Sequence, residues 1–174
     1  MEKNLPVRKP NRLINFDYST EGAYFITICT HQRRKILSRV GAIHESPAIR
    51  LSKIGSIVEE QILQLSSRFG IDVAKYVIMP NHIHLILVID DLERAIREAP
   101  LQKRSIISKV IGYLKMNVSK EVHRNSPNLL IWQRSFHDHV IRDAKDYNEI
   151  ATYIESNPLN WEADCFYDDG EEDF

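Results

Sequence analysis

Cysteine is scarce. Only Cys29 and Cys165 occur in the 174 residues, far apart and in no C-x-x-C arrangement. That excludes a disulfide framework or a zinc signature and fits a reducing compartment. No apolar run approaches the ~20 residues that a membrane span needs. The opening MEKNLPVRKPNR is charged and broken by proline, without the apolar core of a secretory leader behind it. Internal repeats are absent, and the acidic end is the only biased segment. The expectation is a cytoplasmic protein that makes no use of a membrane.

What is present suffices for one compact domain, since 43% of the residues are hydrophobic. The net charge of −1 hides an asymmetry. Residues 162–174 hold seven acids and no base; with those acids set aside, 23 Lys+Arg face 17 Asp+Glu, a balance of +6 over residues 1–161. A basic body with an acidic end is compatible with a polyanionic partner, and equally with a solvated surface and a loose terminus. The expected organisation is therefore one domain over 1–161, with a basic arm over 1–20, followed by a disordered acidic tail over 162–174.

Periodicity supplies the elements. AYFITICT, 23–30, reads as a strand, and 41–50, with Gly, Pro and Ser, reads as a loop. Ser52 caps a predicted helix running to about Arg68, with Ile54, Ile57, Val58, Ile62 and Leu65 on one face. DVAKYVIM, the turn Pro80-Asn81 and HIHLILVI read as two strands whose short join makes them antiparallel. A second helix spans about 105–123, LLIWQRSFHDHVIR reads as a strand region, and a third helix covers 143–156 before Asn157-Pro158. This order predicts an α+β fold, an antiparallel sheet with helices packed on it, most simply ferredoxin-like.

His82 and His84 interrupt an otherwise apolar strand. Residues two apart in a strand share a face, so both imidazoles project together while Ile83 and Leu85 point to the other side. Such a pair is half of a metal or phosphate site, or else two half-buried histidines of an alternating strand. Two helices offer a complement with the same spacing: Tyr113 with Asn117, and Tyr153 with Asn157. In each, the four-residue interval sets a phenol and an amide on one helical face. The residues themselves leave this choice open.

The segments YVIMPNHIHLIL, IWQRSFHDHVIR and YIESNPLNW, in this order, resemble the REP-associated tyrosine transposases. GAYFITICT also resembles that family's first strand, so the likeness runs from about Gly22 to Trp161. These are relatives of the single-strand transposases of small insertion sequences, within the HUH nuclease group. The resemblance implies metal ligands at His82 and His84, a nucleophile at Tyr153 and a third ligand at Asn157, which leaves Tyr113 as the rival. It implies a divalent cation, Mg²⁺ or Mn²⁺, and a covalent 5′-phosphotyrosine intermediate on single-stranded or hairpin DNA. It also favours a monomer over a homodimer and a nucleoid-associated location. Arg8, Lys9, Arg12, Arg33, Arg34 and Lys35 are the expected backbone contacts to DNA, and His139 matches the family pattern without an assigned role. The alternatives are a catalytically inactive hairpin-binding protein of the same fold, and a ferredoxin-like module whose histidines are structural.

Overall fold

Eight residues rich in β-branched and aromatic side chains, Gly22–Cys29, form the central strand β1. The computed structural model of the protein describes residues 20–43, 46–91 and 105–167. Arg8, Lys9 and Arg12, with the rest of the arm before Thr20, lie outside the described residues, as do residues 168–174. After β1 come a hairpin, β2 (Ser38–Ile43) and β3 (Ser46–Leu51), and two helices, α1 (Lys53–Leu63) and α2 (Leu65–Phe69). Strands β4 (Asp72–Ile78) and β5 (His82–Ile89) are followed by helix α3 (Ile106–His123), strand β6 (His137–Ile141) and helix α4 (Ala144–Ser156).

The main sheet has four strands in the order β4-β5-β1-β6, all neighbours antiparallel. This is the α+β, ferredoxin-like arrangement that the element order predicts. β5 is an inner strand, flanked by β1 along its whole length and by β4 from Ile83 to Val88. Ile83, Leu85, Leu87 and Ile89 enter a core that also takes in Val58, Ile62 and Leu65 of the first helices and Ile107, Val110, Ile111, Leu114, Val118 and Val122 of α3. Each such buried aliphatic side chain contributes roughly 1.5–3 kcal/mol. The opposite face carries a smaller cluster, in which Val77, Ile86 and Ile141 meet Ala151 and Ile154 of α4. Among the described residues the sheet thus has three helices on one face and α4 on the other. Among the described residues no helix is long and apolar enough to cross a membrane.

Four boundaries differ from the sequence expectation. Residues 41–50 do not form a loop, because Val40 pairs with Ile49 and Gly41 with Ala48 in the β2–β3 ribbon. Pro47 is tolerated there since a two-stranded ribbon has an open edge. The single helix expected over 52–68 is two, interrupted at Gln64 and closed by Gly70 in the left-handed conformation at φ 61°. The strand expected over 129–142 shrinks to five residues. The Lys115 ammonium takes the carbonyls of Gln133, Arg134 and Ser135, so those groups do not join a ladder. Finally, the acidic tail does not start at residue 162. Trp161–Ala163 form a short 3₁₀ turn, Trp161 is buried, and the chain stays packed through Tyr167.

Candidate active site

Alternation in β5 sends His82 and His84 to the α4 face of the sheet, with Ile86 following on the same side. Both imidazoles are buried and their ring centroids lie 4.5 Å apart. Cys29 and Thr27 of β1 are their cross-strand partners.

Each ring is held from behind. Asn81 donates through Nδ2 to the Phe166 carbonyl at 2.8 Å, which leaves its Oδ1 facing His82 Nδ1 at 2.9 Å. A carbonyl oxygen can only accept, so His82 Nδ1 carries the proton and Nε2 presents a lone pair. His84 Nδ1 meets the Thr27 hydroxyl at 2.9 Å, a group able to serve either tautomer.

Helix α4 supplies the remaining groups. Asp143 caps it by accepting the Asp146 N–H at 2.9 Å, and Ile154 and Ala151 press its apolar side onto the sheet. Tyr153 therefore overhangs the histidines. Its hydroxyl is 3.3 Å from His84 Nε2, its ring meets Phe25 edge-on at 6.2 Å, and it remains 39% exposed. Asn157, just past the last turn, is buried beside it. Tyr113 goes elsewhere: α3 packs on the opposite face, where Tyr113 stacks edge-on against Phe69 at 5.2 Å.

Asp164 is the side chain of this cluster that sequence reasoning passed over. Its Oδ2 accepts from Tyr153 at 2.9 Å and from Asn157 Nδ2 at 2.7 Å, and its Oδ1 accepts the Phe166 N–H at 2.7 Å. Ligand atoms of His82, His84 and Asp164 all lie within 4.8 Å of one another. The available signal was Trp161, an apolar anchor at the head of the acidic run. Phe166 lies over His82 with ring centroids 4.6 Å apart.

The basic residues expected on DNA divide. Arg33 extends over the Phe166 ring at 5.2 Å and Lys35, buried, over Tyr167 at 5.4 Å, so both brace the 164–167 segment. Arg34 is half-buried beside them. His139 sits on β6 with Nε2 2.9 Å from Asp146 Oδ2, at the start of α4.

Burial decides the protonation states. It pushes His84 down to about 4, against the pull of Asp164, and pushes His82 down with help from His84. Burial works against the Asp164 carboxylate too, but the Phe166, Asn157 and Tyr153 donors outweigh it and hold the group below the usual carboxylate range. Burial, then the hydrogen bond and charge of Asp164, raise the Tyr153 phenol well above its ordinary value. Two buried atoms of the site have no hydrogen-bond partner, His82 Nε2 and Asn157 Oδ1. An imidazole nitrogen and an amide oxygen left bare in one buried site fit a divalent cation.

The chain belongs to the IS200-like transposases, whose family model, "Transposase IS200 like", matches residues 19–157. That is a family of DNA-processing enzymes acting in DNA transposition. Within it, the chain is 28% identical over 145 residues to a Haemophilus influenzae protein named "Putative REP-associated tyrosine transposase", covering 82% of this chain and 73% of the relative. A second H. influenzae relative, an "Uncharacterized protein", is 33% identical over 175 residues, covering 93% and 94% of the two chains. The fold is similar to that of a REP-associated tyrosine transposase solved bound to a REP hairpin. The TM-score there is 0.59 at 18% identity, over 88% of this chain and 74% of that one.

Proposed function

We propose that the protein cuts and rejoins single-stranded DNA at hairpin-forming repeats through a covalent bond to Tyr153. The observation that carries this reading is the Tyr153 hydroxyl 3.3 Å from His84 Nε2, within one chain and beside two bare buried acceptors. A divalent cation, Mg²⁺ or Mn²⁺, held by His82, His84 and Asn157 would supply charge stabilisation at the scissile phosphate.

The phenol oxygen attacks phosphorus as its proton is given up, the bond to the 3′ oxygen breaks and that oxygen takes up a proton, so the DNA 5′ end stays on Tyr153 while the other fragment leaves with a 3′ hydroxyl. No water is consumed, so a second 3′ hydroxyl can reverse the step and join strands. Partial exposure of the Tyr153 ring leaves its hydroxyl open to a strand laid across α4. In the metal-free chain Asp164 keeps that hydroxyl protonated and oriented. The +6 balance of residues 1–161 supports a polyanionic partner, with Arg8, Lys9, Arg12 and Arg34 as candidate phosphate contacts. Because one chain supplies every group of the site, a monomer suffices.

The test uses 3′-labelled hairpin oligonucleotides with Mg²⁺ or Mn²⁺, resolving covalent adducts on denaturing gels. Tyr153→Phe should abolish the adduct and keep hairpin binding, whereas Tyr113→Phe should retain both. An adduct that survives in Tyr153→Phe and vanishes in Tyr113→Phe refutes the assignment. Hairpin binding with no cleavage in either metal would leave a DNA-binding protein only.

A further inference from the structure

We propose that Asp164 is a further protein ligand of the cation, making the centre two imidazoles, an amide oxygen and a carboxylate. This rests on the metal-dependent reading above and concerns the completeness of its ligand set.

Position comes first. The His82, His84 and Asp164 donor atoms are mutually within 4.8 Å, a cluster that needs only slight closure to share one ion. Asp164 is also not a passing surface acid. The Phe166 N–H fixes Oδ1, which turns Oδ2 toward α4 and the histidines. On either side the segment is pinned, by buried Trp161 before it, and by Phe166 on His82 and under Arg33 after it.

The bare acceptors point to the same centre. Oδ2 takes the NH₂ end of Asn157, and this leaves Oδ1 of that amide as its free end. Asn157 and His82 are 1% and 0% exposed, so water cannot readily satisfy the two lone pairs.

Charge decides between three ligands and four. His82, His84 and Asn157 are all neutral, and a doubly charged ion buried among neutral groups keeps its full desolvation cost. A carboxylate halves that charge, and hard ions such as Mg²⁺ and Mn²⁺ favour oxygen donors. Among the described residues Asp164 is the anionic group clustered with the pair, its ligand atom within 4.8 Å of theirs. An ion drawing on Oδ2 also competes with the Tyr153 O–H for that oxygen, which loosens the phenol from its partner.

The full chain, stripped with EDTA, is titrated with MnCl₂ by calorimetry, and inner-sphere waters are counted by ¹⁷O relaxation. Wild type should bind one Mn²⁺, Asp164→Asn should bind at least about tenfold more weakly, and Asp164→Ala should carry one more bound water. Glu162→Gln, an exposed acid two residues away, should match wild type. Wild-type affinity and water count in Asp164→Ala overturn the proposal. Weakened binding with an unchanged water count overturns it too, and makes Asp164 a positioning residue for Asn157. Absence of Mn²⁺ binding by wild type instead sinks the metal-dependent reading itself. Should the variants not fold, the wild-type Asp164 carboxyl ¹³C resonance under Mg²⁺ titration decides: a shift supports ligation and a static line rejects it.

Discussion

Asn81→Ala is the sharpest probe of how His82 is held. Asn81 is fully buried and its side chain makes two hydrogen bonds, donating to the Phe166 carbonyl at 2.8 Å and accepting from His82 Nδ1 at 2.9 Å. Truncation leaves that carbonyl and that N–H without partners. An orphaned buried group costs about 1–3 kcal/mol; the His82 N–H is buried and the Phe166 carbonyl only partly, so the protein should lose about 1–3 kcal/mol or somewhat more in urea unfolding. A second effect is separable. Without its acceptor the His82 ring can adopt the other tautomer, so Mn²⁺ affinity should fall by about 10–100-fold, as for other outer-shell partners. Asn81→Asp divides the two effects. It keeps an acceptor for His82 but sets an oxygen against the Phe166 carbonyl, so it should lose stability and retain more of the affinity. If Asn81→Ala unfolds within about 0.5 kcal/mol of wild type and binds Mn²⁺ unchanged, the relay is idle and ring packing alone orients His82.

Three further outcomes follow from the packing. His84 titrates near 4 in the fold and near 6.5 when unfolded, so the unfolded chain binds its proton first; chelated protein should lose about 3 kcal/mol of stability as pH falls from 6.5 to 4. Urea midpoints across that window measure it, and the slope should shrink in His84→Gln. Gly55→Ala would set a Cβ 2.0 Å from the Leu37 carbonyl oxygen, where Ser52 also donates, and should cost about 3 kcal/mol or more by urea unfolding. Of the two thiols, exposed Cys165 should react with a disulfide reagent at pH 8, whereas Cys29, buried and raised to about 11, should react only on unfolding.

Much of the site is readable from local rules, and the remainder depends on tertiary packing. The shared face of His82 and His84 follows from strand alternation, and the stripe of α3 from Ile107 to Val122 follows from helical period. Tyr113 and Tyr153 could not be ranked by spacing, because both share it with an asparagine four residues on. What separates them is the face of the sheet each helix covers, which the crossover of the chain decides. Asp164 was hidden for a different reason. In a run of seven acids its charge looks like solvated surface, and only the packing of Trp161 and Phe166 brings it inward. The β2–β3 ribbon was missed because Gly41 and Pro47 carry turn chemistry, and backbone pairing overrode it.

The interior position of β5 bears on how such a site can fail. Its odd-numbered residues belong to the large core and its even-numbered ones to the α4 face, where His82 and His84 precede Ile86 and Val88, so one register serves both. Deleting Ile83, or inserting one residue between His82 and His84, would set the two imidazoles on opposite faces and send one of them into the aliphatic core. Every ligand would still be encoded, yet the pair could not assemble. For this chain, a search for decayed copies should therefore score the spacing of His82 and His84 before the identity of the residues.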